Sequence, residues 1–355
     1  MHFYLRVLGV HRQKEAPDDT LKPVSIVICA RNEAANLIKH LPAILEQVYS
    51  HDGSTPLFEV LVVNDCSTDD TSAVLARLQA NYSHLRTVTV PAEGVRELKG
   101  KKHALSYGVA HARYDWLLLT DADCSPASTQ WLAKMAAPLA AGKELVAGHG
   151  AYNKSTGLLN AFIRWETINS FVQGYTYALA GKPYLAVGRN MACTRAIFLK
   201  AEQNKVWNIS ASGDDDLVVN LYGTPTNYAM VTDPAAFTYT DTPTRLRDFI
   251  NQKQRHLTDG KSYRGDVKYW LSTYGFTHAA VWFYFIPLLF TSYAQPAIIF
   301  MAARCAAYWV IWAVAAFRLK EKKVIYLLPV FDIGWMIFNI AFSPYIILKN
   351  KQHWT

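Results

Sequence analysis

The sequence predicts an α/β protein, a mostly parallel sheet covered by helices, followed by a run of apolar helical segments. Three observations carry this. Short apolar, β-branched runs alternate with helix-period stretches through about the first 120 residues, the pattern of a parallel sheet. Polar clusters stand directly after those runs, where such sheets hold their ligands. Beyond about residue 270 the charges thin out and the chain becomes mostly apolar.

Residues 24–30 (VSIVICA) form a continuous apolar run, the mark of a strand buried on both faces. Residues 32–49 carry helix periodicity through Leu37, Leu41, Ile44, Leu45 and Val48. A Gly/Ser/Pro turn at 53–56 leads into a second strand at 58–63. Residues 69–80 read as a helix, 85–90 as a strand, 101–111 as a helix and 116–120 as a fourth strand. We divide the chain into a lead-in over 1–22, a catalytic domain over 23–243, an amphipathic segment over 244–270 and three membrane helices within 276–348. The first ten residues are too short to span a bilayer, and no cleavage-site pattern follows, so a secretory signal is not expected.

Residues 244–270 are basic, with seven Lys/Arg against three Asp. Leu246, Phe249, Ile250 and Leu257 recur at helical spacing, so this stretch is expected to lie on a membrane surface. Three apolar segments follow, at 276–299, 297–317 and 324–348, each near the roughly 20 residues needed to cross a bilayer. The basic loop RLKEKK at 318–323 points to the cytoplasm and places the catalytic domain there too, in a multi-pass protein of the inner membrane. A third crossing puts Lys349 and Lys351 outside, against the same rule, which leaves crossing and re-entrant readings of the last segment both open. Arg304 and Asp332 fall inside the second and third segments at levels an Arg side chain can bridge; pairing and independent snorkelling are the alternatives.

The net charge of +8 calls for an anionic partner, and lipid headgroups or a diphosphate both fit. Long Lys/Arg runs are absent, which argues against nucleic acid. The five cysteines show no CxxC spacing, against a disulfide framework or a structural zinc site.

Four polar clusters fall at the expected ligand edge. Ala30-Arg31-Asn32-Glu33 follows the first strand, and Asn64 to Asp70 follows the second. In that second cluster Ser67 or Asp69 is equally readable as a helix cap, whereas Asp65 lies too far upstream for capping. Asp121-Ala122-Asp123 follows the strand WLLLT, and two carboxylates at i and i+2 on an exit turn suit an oxygen-seeking Mg²⁺ or Mn²⁺. Gly213-Asp214-Asp215-Asp216 packs three carboxylates together, so one is expected to have a raised pKa or to face a cation, as a general base requires. The bland alternative is an acidic helix N-terminus.

Taken in this order, the clusters resemble glycosyltransferase family 2, the GT-A fold group that includes cellulose, hyaluronan and chitin synthases and many single-transfer enzymes. The resemblance covers about residues 23–256. It implies that Ala30, Arg31 and Glu33 contact the donor's ribose and base, and that Asp65 holds a uracil ring. Lys101, in GKKHAL, matches the family's stretch near the donor diphosphate. Asp121 and Asp123 match the family's DxD, with Asp123 the firmer metal ligand. Gly188 and Asn190, in GRNM, resemble the segment that shapes the acceptor side. The acidic triplet matches the position of the base, Asp215 being preferred and Asp214 next. Gln252, Arg255 and His256 resemble QxxRW, whose members close over the donor diphosphate, with His256 where a Trp is usual.

The resemblance implies an inverting transfer from a nucleotide sugar to a lipid or membrane-borne acceptor. Loss of the Trp and the small membrane part favour a single transfer, as in lipid- and carotenoid-modifying members, over a processive polysaccharide synthase. A nucleotidyltransferase lacks its Gly-rich loop here, since ARNEAAN stands after the first strand. A non-catalytic membrane scaffold leaves the polar clusters without purpose.

Overall fold

The computed structural model describes residues 21–93, 98–209 and 212–348. The lead-in before residue 21 and the lysines Lys349 and Lys351 lie outside the described residues. The chain forms two compact units. One takes residues 21–153 and Gly181–Thr242, and the other takes Lys154–Ala180 and residues 243–348. The expected catalytic domain is therefore interrupted, because residues 154–180 join the helical unit.

In the first unit, elements alternate as expected through β1 (Val24–Ala30), α1 (Ala34–Leu45), β2 (Phe58–Asn64), α2 (Thr71–Gln79), β3 (Leu85–Thr89), α3 (Lys101–His111) and β4 (Trp116–Asp121). There follow β5 (Ser125–Pro126), α4 (Trp131–Ala140), β6 (Leu145–Ala147) and β7 (Gly150–Tyr152). After the excursion into the other unit, by α5 (Leu158–Leu179), come β8 (Met191–Thr194), α6 (Arg195–Glu202), α7 (Lys205–Ile209), α8 (Asp216–Tyr222), β9 (Tyr228–Met230) and β10 (Thr238–Thr240).

The main sheet has the order β3-β2-β1-β4-β8-β6-β9. Its first four strands are mutually parallel, and β8 runs antiparallel to both β4 and β6. A small second sheet, β5-β10-β7, is built from three short strands. Nearly every residue of β1 and β2 is buried, as their apolar runs require. Helix α3 lies so close to this sheet that a Cβ on Gly108 would stand 2.5 Å from Val63 Cγ2 and 2.9 Å from Val27 Cγ1. Glycine, which lacks a Cβ, permits the approach.

The register decides what meets at the ligand edge. Ala30 pairs with Asn64 across β1 and β2, and Cys29 pairs with Asp121 across β1 and β4. The ends of three neighbouring parallel strands thus come level, and the polar residues after each emerge side by side.

The second unit is helical. It consists of α5, α9 (Leu246–Asp259), α10 (Gly265–Leu288), α11 (Ala294–Arg318) and α12 (Leu328–Leu348), with short 3-10 turns at Gly260–Ser262 and Lys322–Leu327. The expected continuous segment over 244–270 divides at Gly260–Ser262, and extended backbone at Tyr263 and Arg264 restarts the chain as α10. The first apolar segment accordingly begins at Gly265 and ends at Leu288, earlier than expected. The turn before α11 contains no charge, so hydropathy alone does not reveal it. Among the described residues two stretches, Ala294–Arg318 and Lys322–Ala341, are long and apolar enough to cross a membrane by length and composition, where three were expected.

Helix α5 is buried around much of its circumference and carries polar groups that find partners within this unit. Arg164 and Glu321 form a buried ion pair, with Arg164 Nε 3.0 Å from Glu321 Oε2. Trp312 Nε1 donates to Asn169 Oδ1 at 3.1 Å, and Lys253 pairs with Glu166. Aromatic rings of Phe162, Phe249, Phe331 and Phe338 join α5, α9 and α12. Arg304 and Asp332 are paired, the first of the two alternatives left open by the sequence. Arg304 Nη2 lies 3.1 Å from Asp332 Oδ1, and His278 of α10 completes the cluster at 3.1 Å from that Nη2.

Candidate active site

The loop after β1 and the loop after β2 fold as one piece. Asn32 and Cys66 both take left-handed backbone conformations, with φ of 58° and 54°, and turn the chain sharply away from their strands. Thr68 N donates to Asn32 Oδ1 at 2.7 Å, and Asn32 N to Ser67 Oγ at 3.0 Å. Asp69 accepts from Ala34 N at 3.1 Å and Thr71 N at 3.0 Å, so one carboxylate serves the first turns of both α1 and α2. This resolves the Ser67/Asp69 ambiguity in favour of a structural use. Asp65 is buried, and its N–H reaches Ala30 O at 2.8 Å. Glu33 is half-buried; burial raises its carboxyl above the ordinary range, and Asp123, Asp121 and Asp69 push the same way despite a hydrogen bond from Asn36. Arg31 is exposed.

Lys101 begins α3, directly after Gly100, whose φ of 61° favours a residue without a Cβ. Its ammonium pairs with Asp121 and lies 3.9 Å from Asp214 Oδ2. Burial works against that charge, but Asp121 and Asp214 hold it well above the ordinary lysine range. The next residue was not singled out in the sequence, although it belongs to the same doublet. Lys102 is fully buried, donates to Trp207 O at 2.5 Å and sits 4.5 Å above the Trp207 ring. One lysine thus faces the site while its neighbour anchors α7.

Asp121 and Asp123 leave β4 as expected. Asp123 Oδ2 accepts from Thr240 Oγ1 at 2.9 Å. Ligand atoms of Asp121, Asp123 and Cys124 lie within 4.8 Å of one another. Cys124 is buried, and burial raises its thiol well above the ordinary range, so it stays protonated and the two carboxylates are the natural donors. A carboxylate pair on one turn fits a hard divalent cation.

The acidic triplet divides its labour. Asp215 Oδ1 accepts from Asp216 N at 2.7 Å as the N-cap of α8, and Oδ2 accepts from Gly188 N at 2.6 Å. Both of its oxygens are therefore engaged by backbone amides. Asp214 instead faces Lys101. Burial raises its carboxyl above the ordinary range against the pull of Lys101, and Asp215 and Asp121 raise it further. Gly188 is packed so that a Cβ there would lie 3.5 Å from both Asp214 Oδ2 and Asp215 Oδ2.

Asn190, two residues on, bonds inward. It is fully buried; its Nδ2 donates to His149 O at 3.1 Å and Ala236 O at 2.8 Å, and its Oδ1 accepts from Trp131 Nε1 at 2.9 Å. Arg189, also not singled out in the sequence, donates to Gly150 O at 2.6 Å and lies over the Tyr152 ring. Its own carbonyl accepts from Thr120 and Thr238, which ties β4 and β10 to the same loop.

Of the expected residues, Ala30, Glu33, Asp65, Lys101, Asp121, Asp123, Gly188, Asp214 and Asp215 belong to the first unit, and the contacts above join Lys101, Asp121, Asp214, Asp215 and Gly188. Gln252, half-buried, and Arg255, exposed, lie on α9 of the second unit, and the His256 side chain lies outside the described residues.

A family model described as glycosyl transferase family 2 matches residues 25–200, and one described as glycosyl transferase family group 2 matches residues 116–319. The chain is similar to the probable glycosyltransferase YdaM of Bacillus subtilis, 27% identical over 243 residues, which are 66% of this chain and 54% of that protein. It is 30% identical over 139 residues to the glycosyltransferase AglE of Haloferax volcanii, covering 39% of this chain and 42% of that one. A poly-β-1,6-N-acetyl-D-glucosamine synthase of Staphylococcus aureus is 25% identical over 126 residues, covering 35% of this chain and 28% of the synthase. The chain thus spans about half or less of the curated relatives it matches. Among solved structures, the mannosyltransferase PcManGT from Pyrobaculum calidifontis, in complex with GDP-Man and Mn²⁺, has a TM-score of 0.56 at 18% identity and covers 94% of both chains. That likeness shows a shared fold.

Proposed function

The chain belongs to glycosyltransferase family 2, and from that membership we propose that it moves one sugar from a nucleoside-diphosphate donor, with UDP-sugars favoured, to a hydroxyl of a lipid or membrane-borne acceptor. The observation that carries this reading is the link from Asp121 through Lys101 to Asp214 at the edge of the parallel sheet. It holds one cation between two carboxylates, and Lys101 is the group of the three that can meet a diphosphate leaving group.

Asp214 is the base in this reading, in place of the expected Asp215, because Asp215 has both oxygens occupied by the amides of Gly188 and Asp216. Asp214 removes the acceptor proton as the acceptor oxygen attacks the anomeric carbon. The bond from that carbon to the diphosphate oxygen breaks on the opposite face, its electron pair leaves with the diphosphate, and the anomeric configuration inverts. Lys101 offers its ammonium to the charge that develops on the leaving group. Asp121 and Asp123 would hold Mg²⁺ or Mn²⁺, which when bound supplies further neutralisation of the diphosphate. Ala30, Arg31, Glu33 and Asp65 receive the base and ribose, Gly188 and Asn190 shape the acceptor side, and Gln252, Arg255 and His256 serve the diphosphate. The helical unit holds the enzyme at the cytoplasmic face of the inner membrane, supported by its exposed apolar helices and the basic residues of α9 and of the loop before α12.

Thermal shift with a panel of nucleotide sugars, with and without Mn²⁺, tests the reading. A stabilisation by one nucleotide family that grows with Mn²⁺ is expected. No stabilisation by any nucleotide sugar, or stabilisation that survives unchanged in the Asp123→Ala protein, overturns donor class or metal site respectively. The similarity to a polysaccharide synthase favours a second reading, repeated transfer, which product mass separates from the first.

A further inference from the structure

Within the helical unit, α10 and α11 form a hairpin with an unusual division of charge and cover. From Ala279 to Phe300 no residue is buried, although the stretch is almost entirely apolar; Phe283, Phe290 and Ile299 are 70%, 86% and 62% exposed. No Asp, Glu, Lys or Arg occurs between His278 and Arg304. At the opposite ends of the same two helices stand Arg264, Lys268 and Arg318, with Lys320, Lys322 and Lys323 in the loop that follows. The boundary between the two regions is the polar cluster of His278, Arg304 and Asp332.

The lengths decide how deep this hairpin reaches. His278 lies about ten residues before the end of α10, and Arg304 about ten residues after the start of α11, so each uncovered arm is about 15 Å long. A bilayer's hydrocarbon core is about 30 Å thick. Above the cluster, α11 is covered by α5, a helix bearing Asn160, Arg164, Glu166 and Asn169, which bonds Trp312 directly. Such a helix belongs to the aqueous or headgroup side. A buried Arg–Asp–His cluster is also costly at the bilayer centre and far less so at headgroup depth.

We propose that the α10–α11 hairpin dips into one leaflet and returns, with the His278–Arg304–Asp332 cluster at headgroup level and the turn at 289–293 near the bilayer midplane. The occupant of the exposed face is the acyl region of that leaflet, and the lysines and arginines at the other end meet anionic headgroups. The inference rests on the membrane part of the function proposed above and replaces the expected complete crossings of these helices.

Full-length enzyme reconstituted in phosphatidylcholine/phosphatidylglycerol vesicles tests it, with wild type as the background control. A Ser292→Cys protein should react with a membrane-impermeant maleimide in detergent and be protected from both sides of intact vesicles. A Lys323→Cys protein should react from the catalytic side only. Labelling of the Ser292→Cys thiol from the side opposite that of Lys323→Cys means a complete crossing and overturns the proposal. Labelling from the same side means the hairpin is not inserted, and overturns it too. If the Ser292→Cys thiol stays protected in dilute detergent and light scattering reports a dimer, a second copy covers the face and the proposal fails. Protein that remains soluble without detergent overturns the membrane reading itself, whereas the nucleotide-sugar panel judges donor use independently.

Discussion

Asn substitutions at the two neighbouring carboxylates should have opposite consequences. In Asp215→Asn only one carbonyl oxygen remains to serve the amides of Gly188 and Asp216, which now lie 2.6 and 2.7 Å from separate carboxylate oxygens. The other amide faces an NH₂ group. A lost hydrogen bond to a charged acceptor costs about 1.5–3 kcal/mol, and Asn caps a helix about as well as Asp, so a loss of about 1.5–3 kcal/mol is expected. Asp214→Asn disturbs no such anchor, and Lys101 keeps Asp121 as its partner. It should melt close to wild type and bind donor, while the transfer rate falls by about 10²–10⁴, the usual contribution of a general base. Melting curves, donor titration and single-turnover transfer on both proteins make the comparison. An Asp215→Asn enzyme that is stable yet inactive, beside an Asp214→Asn enzyme that still transfers, would refute the assignment.

Other consequences follow from buried polar groups. Asn190→Ala leaves the carbonyls of His149 and Ala236 and the indole N–H of Trp131 without their partner, and should cost about 3–5 kcal/mol, read by denaturant melts. Arg164→Met should destabilise by about 3–5 kcal/mol because Glu321 is left charged and buried, and the double change with Glu321→Leu should recover most of it. His149 stays neutral in the fold because burial, aided by Arg189, lowers its pKa from 6.5 to about 3. The unfolded chain takes up that proton as pH falls below 6.5, so stability is full above that value and declines toward pH 3. The slope contributed is at most about 1.4 kcal/mol per pH unit. His149→Asn should make the acid limb of a stability profile shallower, and an unchanged limb would contradict the buried neutral ring.

Much of the sheet was legible in sequence because strands buried on both faces are written as unbroken apolar runs. Residues 24–30 and 116–120 fell within a residue of their observed bounds, and the polar residues that follow them do stand side by side. Arg304 and Asp332 were legible as candidates for pairing because two ions in apolar segments have few alternatives. His278 was not, since a histidine in a mixed helix carries no such signal. The register within the acidic triplet depended on which amide each carboxylate meets, and Gly188 lies 27 positions from Asp215 in sequence. The short strands β5, β7 and β10 have two or three residues each, too few for a period to show. Helix α5 was also missed as a member of the helical unit, because partners such as Trp312 and Glu321 are written more than a hundred positions later.

That distance has a consequence for how the chain is made. During synthesis α5 leaves the ribosome long before Trp312 and Phe331, the partners of its Asn169 and Trp165, exist, and Arg164 waits for a carboxylate 157 positions downstream. Until then the helix stands without the unit it belongs to. Shortening the protein after residue 242 to obtain a soluble enzyme would make that transient condition permanent. A soluble version would instead need the residues of α5 that its own unit buries rewritten as polar ones, so that the helix no longer depends on an escort that arrives last.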